Sequence, residues 1–517
     1  MHLPGYIKLS FVLMSFLLIG TSCYEEVLLE DDRLESRHNL LSINHINGIT
    51  DLLNNRVFFA LGTTEIDPFR AEIRFETYTQ LSFNGIDVRN DTINDLGKVQ
   101  TNQVYSCIGI EGNRTDTFDV VFTSIPLVHI VTDDTIVDEP KSFCKMYIQY
   151  DDPHDGSAQI FQFSTSAGIE IRGASSMRYS KLSYGIELWR NRSEKDYKTG
   201  LLDMRSSEDW ILDAMYIDDL RMRNKLSFDI WKSINQADAA HDDNNYQGIN
   251  CRFVELLINN EYQGVYSLNE KLHPELLGFT HDQFLKGGLM YKAIYWSEGS
   301  TRFEAIHAPP VNSFLWDGWE QIYPAHDTCW NPLSELRNFI VNSTDDQFEE
   351  GISGLMNIRN LIDYYLFVNL VQGYDNTGKN TYLVKWDHAS GFHVLPWDIE
   401  ATWGLAWNRE KNRPAGTVTN HLFERLIATD SEGYTEQLVT RWQQYRTHQF
   451  STAAITGMVT AYHQLLTESG AYAREKERWQ EFPMDHAAEY QYITEWIHDR
   501  LEFLDEHFEQ YANDDHR

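Results

Sequence analysis

The spacing of hydrophobic residues changes along the chain, and each change predicts different secondary structure. Up to about residue 130, short alternating runs separated by Asn, Asp and Gly turn signals are typical of strands in a small β-sandwich. From about 140 to 300 strand-like runs continue, with one amphipathic helix predicted where apolar residues recur largely at four-residue steps between 220 and 234. From about 330 onward helical spacing dominates. The strand-like runs are Val57–Leu61, Ala71–Tyr78, Val104–Ile110, Phe118–Phe122, Cys144–Tyr150, Gln159–Ser164, Gly168–Arg172, Leu182–Leu188 and Cys251–Ile258.

Three segments of the C-terminal half carry the clearest patterns. Residues 357–372 are apolar on most sides, as in a helix buried inside a domain. Two strand-like runs, Thr381–Trp386 and Phe392–Trp397, flank a turn at Asp387–Gly391 and predict a β-hairpin. A long final helix places apolar residues on one face between Ile493 and Tyr511. The chain is therefore predicted to be α+β.

The pattern of the N-terminal residues indicates that the protein is exported. Lys8 precedes an apolar run, Leu9–Gly20, which is shorter than the roughly 20 residues needed to span a bilayer and fits the apolar core of a signal peptide. The small residues Thr21 and Ser22 then lead to Cys23, as in a bacterial lipobox, although Gly20 stands where Leu is usual. We expect an extracytoplasmic protein, lipid-anchored through Cys23 and without a later membrane-spanning segment.

The charge balance limits the classes of molecule that the protein can bind. The 517 residues include 43 Lys and Arg against 77 Asp and Glu, a formal net charge of −34. Nucleic acid is excluded as a partner, because binding it requires basic residues that neutralise phosphates. An anionic substrate such as a nucleotide would need a local basic or metal site that works against the overall field.

The remaining cysteines leave two possibilities open. Their spacings are too wide for a zinc knuckle, which needs pairs two to four residues apart. One or two disulfides are compatible with an oxidising compartment, and four unrelated buried thiols are equally compatible with the sequence. The four residues are Cys107, Cys144, Cys251 and Cys329.

The segment 373–404 carries the most informative chemistry. After the buried helix come Asp375 and, five residues later, Asn380, and the predicted hairpin then leads to Asp398. A helix, D-x₄-N, a hairpin and an Asp follow one another in the catalytic half of a protein kinase. Asp375 can accept the proton of an attacking hydroxyl, while the hairpin brings Asp398 beside Asn380, where their oxygens suit Mg²⁺. D-x₄-N alone is a weak signal, since such residues are usually turn formers.

A second segment offers a phosphate-binding loop. The predicted strand ending at Arg172 is followed by a small-residue loop that contains Gly173, Ser175 and Ser176, and then by Lys181. Backbone amides and the two serine hydroxyls of such a loop can cap phosphate oxygens, and Lys181 can neutralise their charge. An ordinary hairpin with a solvated lysine explains the same segment.

These segments, taken together, resemble the spore coat protein H (CotH) kinase family, whose members resemble a divergent, atypical protein kinase. Five blocks match in order, and with the final helix the resemblance extends over most of 140–510. The blocks are IRGASSMRYSKLSYGIEL (171–188), DWILDAMYIDDLRMRNKLSFDI (209–230), FVELLINNEYQGVYSLNEKL (253–272), NLIDYYLFVNLVQGYDNTGKNTYLV (360–384) and PWDIEATWG (396–404).

The resemblance implies catalytic and metal-binding roles for four residues of the C-terminal half. Asp375 would be the catalytic aspartate, and Asn380 and Asp398 would be Mg²⁺ ligands. Where the family commonly has a second Asp two residues after PWD, this chain has Glu400. The longer side chain can still hold a metal directly or through water, but its geometry differs.

The resemblance also implies a nucleotide site. Lys181 would contact the ATP phosphates, and Arg172, Gly173 and Ser175 would belong to the loop that covers them. Glu270 would lie near the adenine, where the two lobes join.

The implied organisation has four parts. We expect a signal peptide with a lipobox-like end at 1–23, a β-rich accessory domain at 24–135, a kinase-like core at 136–430 and a helical C-terminal part at 431–517. Within the core, the N-lobe would cover about 140–300 and the C-lobe about 301–430. The fold class expected is therefore a two-lobed, divergent kinase-like α+β fold preceded by a small sandwich-like domain.

The function expected is Mg²⁺-dependent transfer of the ATP γ-phosphate to Ser or Thr hydroxyls of envelope or surface proteins. The alternative is a non-catalytic pseudokinase-type adhesin, with the β-rich region and aromatic residues contacting glycans or proteins. A glycoside hydrolase with two carboxylates is a third and weaker option, supported only by abundant acids and aromatics.

Overall fold

The structure, a computed structural model, describes residues 40–151, 160–173, 176–238, 246, 248–280, 282–481 and 484–513. The predicted signal peptide, Cys23 and Ser175 lie outside the described residues. Strands dominate the first half of the described chain and helices the second, with a β-rich region at the N-terminal end, so the α+β prediction is confirmed.

The N-terminal β-rich region contains a six-stranded and a four-stranded sheet that share a core, and a separate two-stranded sheet. Its larger sheet has the order β3-β4-β12-β11-β7-β8, its smaller sheet has the order β2-β1-β6-β9, and β5 pairs with β10. Phe59 and Phe122 of the larger sheet are buried with Ile43 and Ile73 of the smaller one. The strands are β1 (Ser42–Ile43), β2 (Ile46–Asn47), β3 (Ile49–Asp51), β4 (Arg56–Ala60), β5 (Glu65–Ile66), β6 (Arg70–Arg74), β7 (Gln80–Phe83), β8 (Ile86–Val88), β9 (Thr92–Asp95), β10 (Val99–Gln100), β11 (Val104–Glu111) and β12 (Arg114–Thr123).

Strand β4 is buried on both faces, which explains its continuous apolar run. Because side chains alternate along a strand, Val57 and Phe59 point into the core of the β-rich region, while Phe58 and Ala60 point to the opposite side. There Phe58 packs with Tyr262 of the next domain, with ring centroids 5.3 Å apart. The β-rich region therefore shares buried apolar surface with the rest of the molecule.

A closed seven-stranded barrel follows, with the order β13-β14-β15-β16-β17-β19-β18. Parallel pairing of its first strand with β18 closes the barrel. The sequence predicted two runs, Gln159–Ser164 and Gly168–Arg172, where the structure has one long strand, because residues 165–167 keep pairing with β14. The strands are β13 (Leu127–Val131), β14 (Ser142–Asp151), β15 (Ile160–Arg172), β16 (Ser183–Trp189), β17 (Asp209–Asp213), β18 (Cys251–Ile258) and β19 (Glu261–Glu270).

One helix, α1 (Arg223–Asp238), connects the barrel to the C-terminal part. Near its start, the Lys225 ammonium donates to the carbonyl of Cys251 at the beginning of β18. On its apolar side, Trp231 packs against Phe367 of a C-terminal helix, with ring centroids 5.1 Å apart. The amphipathic spacing that predicted this helix thus reflects burial between two parts of the molecule.

In the part of the chain that the structure describes, the C-terminal region contains a five-stranded sheet and eight helices. The sheet order is β21-β22-β20-β23-β24, and the predicted hairpin forms its β23-β24 edge. Its strands are β20 (Leu289–Ala293), β21 (Leu315–Trp316), β22 (Trp319–Tyr323), β23 (Thr381–Lys385) and β24 (His393–Pro396). The helices are α2 (Asn331–Asn342), α3 (Asp345–Gly351), α4 (Ile358–Val371), α5 (His421–Thr429), α6 (Tyr434–Arg446), α7 (Thr452–Glu468), α8 (Ala471–Arg478) and α9 (His486–Asn513).

The four cysteines in the described part of the chain are free. Cys107, Cys144 and Cys251 are buried, and Cys329 is partly buried. Burial raises the pKa of the Cys107 thiol to about 12 and raises that of Cys144 further. The sequence left open disulfides or unpaired thiols, and in the structure these four cysteines are unpaired.

Among the described residues, the helices lack the combination of length and apolar character that spanning a bilayer requires.

Candidate active site

A cavity of about 280 Å³ lies between the barrel and the C-terminal part. Its walls bring together residues that the sequence analysis singled out from two segments far apart in the chain, 172–181 and 375–400. From the barrel side come Arg172, Gly173, Ser176 and Lys181, and from the C-terminal side come Asp375, Asn380, Asp398 and Glu400.

The β23-β24 hairpin places Asn380 beside Asp398. Thr381 is paired with Pro396, so the residues just before β23 and just after β24 emerge at the same end of the hairpin. The Asn380 amide nitrogen lies 3.3 Å from a carboxylate oxygen of Asp398. Both residues have positive φ, 55° and 50°, a conformation that Asn and Asp tolerate better than other side chains. The hairpin therefore turns both side chains toward one point.

Asp375 is held in place by its neighbour Asn376. The Asn376 side-chain amide donates to the carbonyls of Asn380 and Trp397, each at 2.9 Å, and so ties the Asp375 loop to the hairpin. The Tyr364 hydroxyl of α4 donates to the Asn376 carbonyl at 2.7 Å. Sequence analysis missed Asn376, whose signal would have been a buried amide next to the candidate base.

The Asp375 carboxylate carries one close cation. Lys379 Nζ lies 2.9 Å from Asp375 Oδ2, one helical turn further along the loop. Both side chains remain partly accessible, at 24% for Asp375 and 30% for Lys379. The carboxylate can therefore be reached from the cavity while positive charge stays next to it.

Besides Asp375, three carboxylates, those of Asp213, Asp398 and Glu400, concentrate negative charge in the cavity. Asp213, at the end of β17, was missed by the sequence analysis, although an acid directly after a buried strand is a usable signal. Desolvation by the surrounding protein and the nearby Asp213 raise the pKa of Asp398, although the residue itself is exposed, and Arg172 and other cations oppose the shift. Burial, Asp213 and Asp398 raise the pKa of Glu400 well above its usual value.

These carboxylates and the Asn380 amide oxygen form a donor set that fits Mg²⁺. Hard divalent cations prefer carboxylate and amide oxygens, and after desolvation the neighbouring carboxylates add to the raised pKa values of Asp398 and Glu400. Asn224 orders part of this set: its amide donates to Asp213 at 2.7 Å and its oxygen accepts from the backbone of Ile399 at 3.2 Å.

Lys181 is buried in an ion pair rather than exposed. Its Nζ lies 2.8 Å from Glu475 Oε1, and it also donates to the Val265 carbonyl. Burial lowers the pKa of Lys181 to about 7, although the attraction of Glu475 opposes the shift. Burial acts to raise the pKa of Glu475, but Lys181 and Arg221 outweigh it and lower that pKa. Glu475 was missed because it lies 294 residues after Lys181.

Lys292 is a second cation of the cleft that the sequence analysis did not single out. It lies on β20 and lines a second cavity, of about 530 Å³, which shares Arg172, Asn380 and Asp398 with the first. Burial lowers the pKa of Lys292, while Glu320 and Asp398 oppose the shift. Among the described residues, no carboxylate lies within ion-pair distance of its Nζ, in contrast to Lys181.

The loop after β15 is shaped by Gly173 and by an aromatic stack. Gly173 has a φ of 117°, and a Cβ there would meet the Ser176 hydroxyl at 2.0 Å, so only glycine fits. Tyr179 stacks on Tyr216 with ring centroids 4.4 Å apart, which anchors the far end of the loop. Ser175 lies outside the described residues, so its predicted role stays a prediction.

Glu270 does not line either cavity, although its chain neighbours Asn269 and Lys271 do. Its carboxylate accepts hydrogen bonds from Arg205 and from both the backbone and the side chain of Asn250. Burial acts to raise the pKa of Glu270, but Arg205 and Asn250 outweigh it and lower the pKa. With its oxygens taken up in this way and 1% of the residue exposed, Glu270 joins the end of β19 to its neighbours.

Comparison with known proteins gives one match. The family model described as CotH kinase protein matches residues 169–504, which is more than half of the chain. The match begins within β15 and ends within α9, so it includes both walls of the first cavity and leaves out the β-rich region. No curated protein matches the chain.

Proposed function

The chain belongs to the CotH kinase protein family, and from that membership and the composition of the cleft we propose that it is an atypical protein kinase. It transfers the γ-phosphate of ATP to Ser or Thr hydroxyls of envelope or surface proteins, with Mg²⁺ as cofactor. The barrel serves as the N-lobe and the C-terminal part as the C-lobe of a two-lobed kinase-like fold. The supporting observation is one cleft that holds Asp375, the Asn380–Asp398 pair and the Lys181–Glu475 pair.

Asp375 acts as the base of the proposed reaction. It orients the acceptor hydroxyl and takes its proton as the hydroxyl oxygen bonds to the γ-phosphorus and the bond to the bridging oxygen of ADP breaks. Lys379, at 2.9 Å, keeps positive charge beside the carboxylate and the transferred group. Positioning and charge neutralisation account for most of the rate acceleration in such transfers.

The remaining residues hold nucleotide and metal. Asn380 and Asp398, with Glu400 and Asp213 close by, would hold Mg²⁺, which when bound neutralises phosphate charge. Arg172, Lys181 and Lys292 supply the local positive charge that a nucleotide requires in a chain with a net charge of −34. Gly173 and Ser176 contribute the loop over the phosphates.

Location and partners follow from the N-terminal sequence and are part of the proposal. The apolar run at 9–20 and the lipobox-like Cys23 support export and a lipid anchor on the bacterial membrane, periplasmic or at the cell surface. The partners proposed are a nucleotide and an envelope or surface protein, with contact to the membrane through the anchor alone. The acidic charge excludes nucleic acid.

The adhesin alternative would use tryptophans as exposed platforms for sugar rings. Five tryptophans of the segments beside the site are buried, so they serve packing. They are Trp316, Trp319, Trp330, Trp397 and Trp403. Trp407 is the exception, with 63% exposed at the rim of the first cavity. A binding scaffold also has no physical need for the full set of Lys181, Asp375, Asn380 and Asp398.

Incubation with Mg²⁺ and γ-labelled ATP tests the proposal. The protein without residues 1–23 is expected to transfer label to itself or to a generic acceptor protein, and Asp375→Ala and Asp398→Ala are expected to abolish transfer. Asp346→Ala, which removes an exposed carboxylate at the start of α3, is the matched control and is expected to keep full activity. Absence of both nucleotide binding and label in every form would overturn the kinase proposal in favour of the adhesin.

A further inference from the structure

Helix α8 carries the carboxylate that holds Lys181. Glu475 accepts hydrogen bonds from Lys181 Nζ at 2.8 Å, from Arg221 Nε at 2.8 Å and from the backbone amide of Val265 at 2.6 Å. The carboxylate is fully buried, so these three donors fix it completely. Any displacement of α8 therefore displaces the ammonium group of Lys181 or breaks the pair.

The opposite side of α8 contacts the N-terminal β-rich region. Glu477, two residues after Glu475, forms a bidentate ion pair with Arg56 of β4, at 2.6 and 3.1 Å. The Arg474 guanidinium lies 5.8 Å from the ring centroid of Phe58, also on β4. One short strand of the β-rich region thus meets α8 at two positions that flank Glu475.

A buried network extends this contact into the barrel. Arg474 forms a bidentate ion pair with Glu255 of β18, at 2.7 and 2.8 Å. Glu255 also accepts from the hydroxyl of Tyr262, whose ring stacks on Phe58. The β-rich region, the β18-β19 hairpin and α8 therefore share one set of buried contacts.

The turn before α8 is held from the same side. The Thr101 hydroxyl, in the β-rich region, donates to the Glu468 carbonyl at the end of α7, at 2.7 Å. Gly470 begins the turn into α8 with a φ of 73°, and a Cβ there would approach the Thr101 carbonyl to 3.1 Å. Because an eight-residue helix is marginal by itself in water, α8 depends on such tertiary contacts for its position.

We propose that the N-terminal β-rich region is a clamp on α8 that positions Lys181 for the nucleotide. In this role Glu475 is a positioning residue for Lys181, and Arg56 and Glu477 are positioning residues for α8. This inference rests on the proposed function in one respect, which is that Lys181 contacts a nucleotide. It gives a task in the reaction to a region that lies outside the segment matched to the family.

Reversing the charges of the Arg56–Glu477 ion pair tests the clamp, and reversing both residues together should restore the contact. Arg56→Glu places like charges opposite each other, and juxtaposed like charges are strongly unfavourable, so we expect the KM for ATP to rise about tenfold with a smaller change in kcat. The double variant Arg56→Glu, Glu477→Arg restores an ion pair and is expected to return within about twofold of the parent protein. Arg70→Glu, which breaks the ion pair of Arg70 with Asp95 in the same region, is the matched control and is expected to leave KM unchanged.

A measurement that does not depend on phosphate transfer distinguishes failure of the clamp proposal from failure of the kinase proposal. Amine acylation followed by mass spectrometry measures how often Lys181 opens to solvent, with the exposed Lys98 as internal reference. Arg56→Glu is expected to speed labelling of Lys181 about tenfold, and the double reversal is expected to slow it again. If labelling changes while no phosphate transfer exists, the clamp stands and the kinase fails. If Arg56→Glu lowers the melting temperature but leaves labelling and KM unchanged, the contact is merely structural and the clamp proposal is overturned.

Discussion

At the scale of single residues, the structure adds a second lysine, Lys292, to the cleft in which the sequence singled out Lys181 alone. Lys181 is 1% exposed and is committed to Glu475, whereas Lys292 faces the cavity that borders Asn380 and Asp398. A lysine without an ion-pair partner in a low-dielectric cleft is costly unless an anion binds there. In the proposed reaction Glu475 holds Lys181 in position, and we expect Lys292 to contact phosphate oxygens directly.

Lys292→Met is expected to weaken ADP binding about 10- to 100-fold and to leave adenosine binding unchanged. Charged hydrogen bonds contribute about 1.5–3 kcal/mol, and methionine keeps the length of the side chain without its charge. Titration calorimetry with ADP and with adenosine measures both affinities. Lys286→Met, an exposed lysine outside both cavities, serves as control. Equal losses for ADP and adenosine would mean that Lys292 shapes the cleft rather than contacting phosphate.

At the scale of elements, the local sequence patterns predicted secondary structure within one segment. They did not predict contacts between segments that are distant in the chain. The run Thr381–Trp386, the turn and the run Phe392–Trp397 predicted strands that the structure has as β23 and β24, and antiparallel register alone then brings residue 380 near 398. Helix α8 reads AYAREKER, and its alternating charges resemble a solvated face. Nothing in that octet shows that Glu475 is buried against a lysine in another domain, because the pairing is set by tertiary packing.

Asn376→Ala is expected to lower kcat by at least about tenfold with little change in the KM for ATP. The substitution removes both donors that tie the Asp375 loop to the hairpin, and small misplacements of a catalytic group cost up to about 100-fold in rate. Asn357→Ala is the matched control: it removes the N-cap of α4 and should lower the free energy of unfolding by about 1 kcal/mol without affecting kcat. Similar losses of kcat in both variants would show that general destabilisation, not loop position, is responsible.

At the scale of the whole molecule, the β-rich region packs against both the barrel and α8. Alternation along β4 gives one face to its own core and the other to the barrel, and Arg56 at the start of the strand reaches α8. The sequence predicted the strands of this region but gave it no chemical motif. Its importance comes from contacts across the chain, which periodicity within a segment cannot reveal.

The same junction contains a partly buried histidine that is expected to make the molecule sensitive to acid. His129 lies on β13, the strand that closes the barrel next to the β-rich region, and its Nε2 is buried without a hydrogen-bond partner among the described residues. Burial lowers the pKa of His129 to about 4, from an ordinary value of 6.5. The unfolded chain therefore binds the proton more readily, so stability is complete above pH 6.5 and is lost as the pH falls toward 4.

His129→Asn is expected to flatten the acid side of the stability profile. The shift of His129 corresponds to a loss of up to about 3 kcal/mol in the free energy of unfolding between pH 7 and pH 4. Buried carboxyls with raised pKa values, such as Asp363, act in the opposite direction, so the difference between variant and parent isolates the histidine. Denaturant unfolding at several pH values measures it, with the exposed His448→Gln as control. A parent-like slope in His129→Asn would show that the acid sensitivity arises elsewhere, with His486 of α9, whose pKa burial also lowers to about 4, as the next residue to substitute.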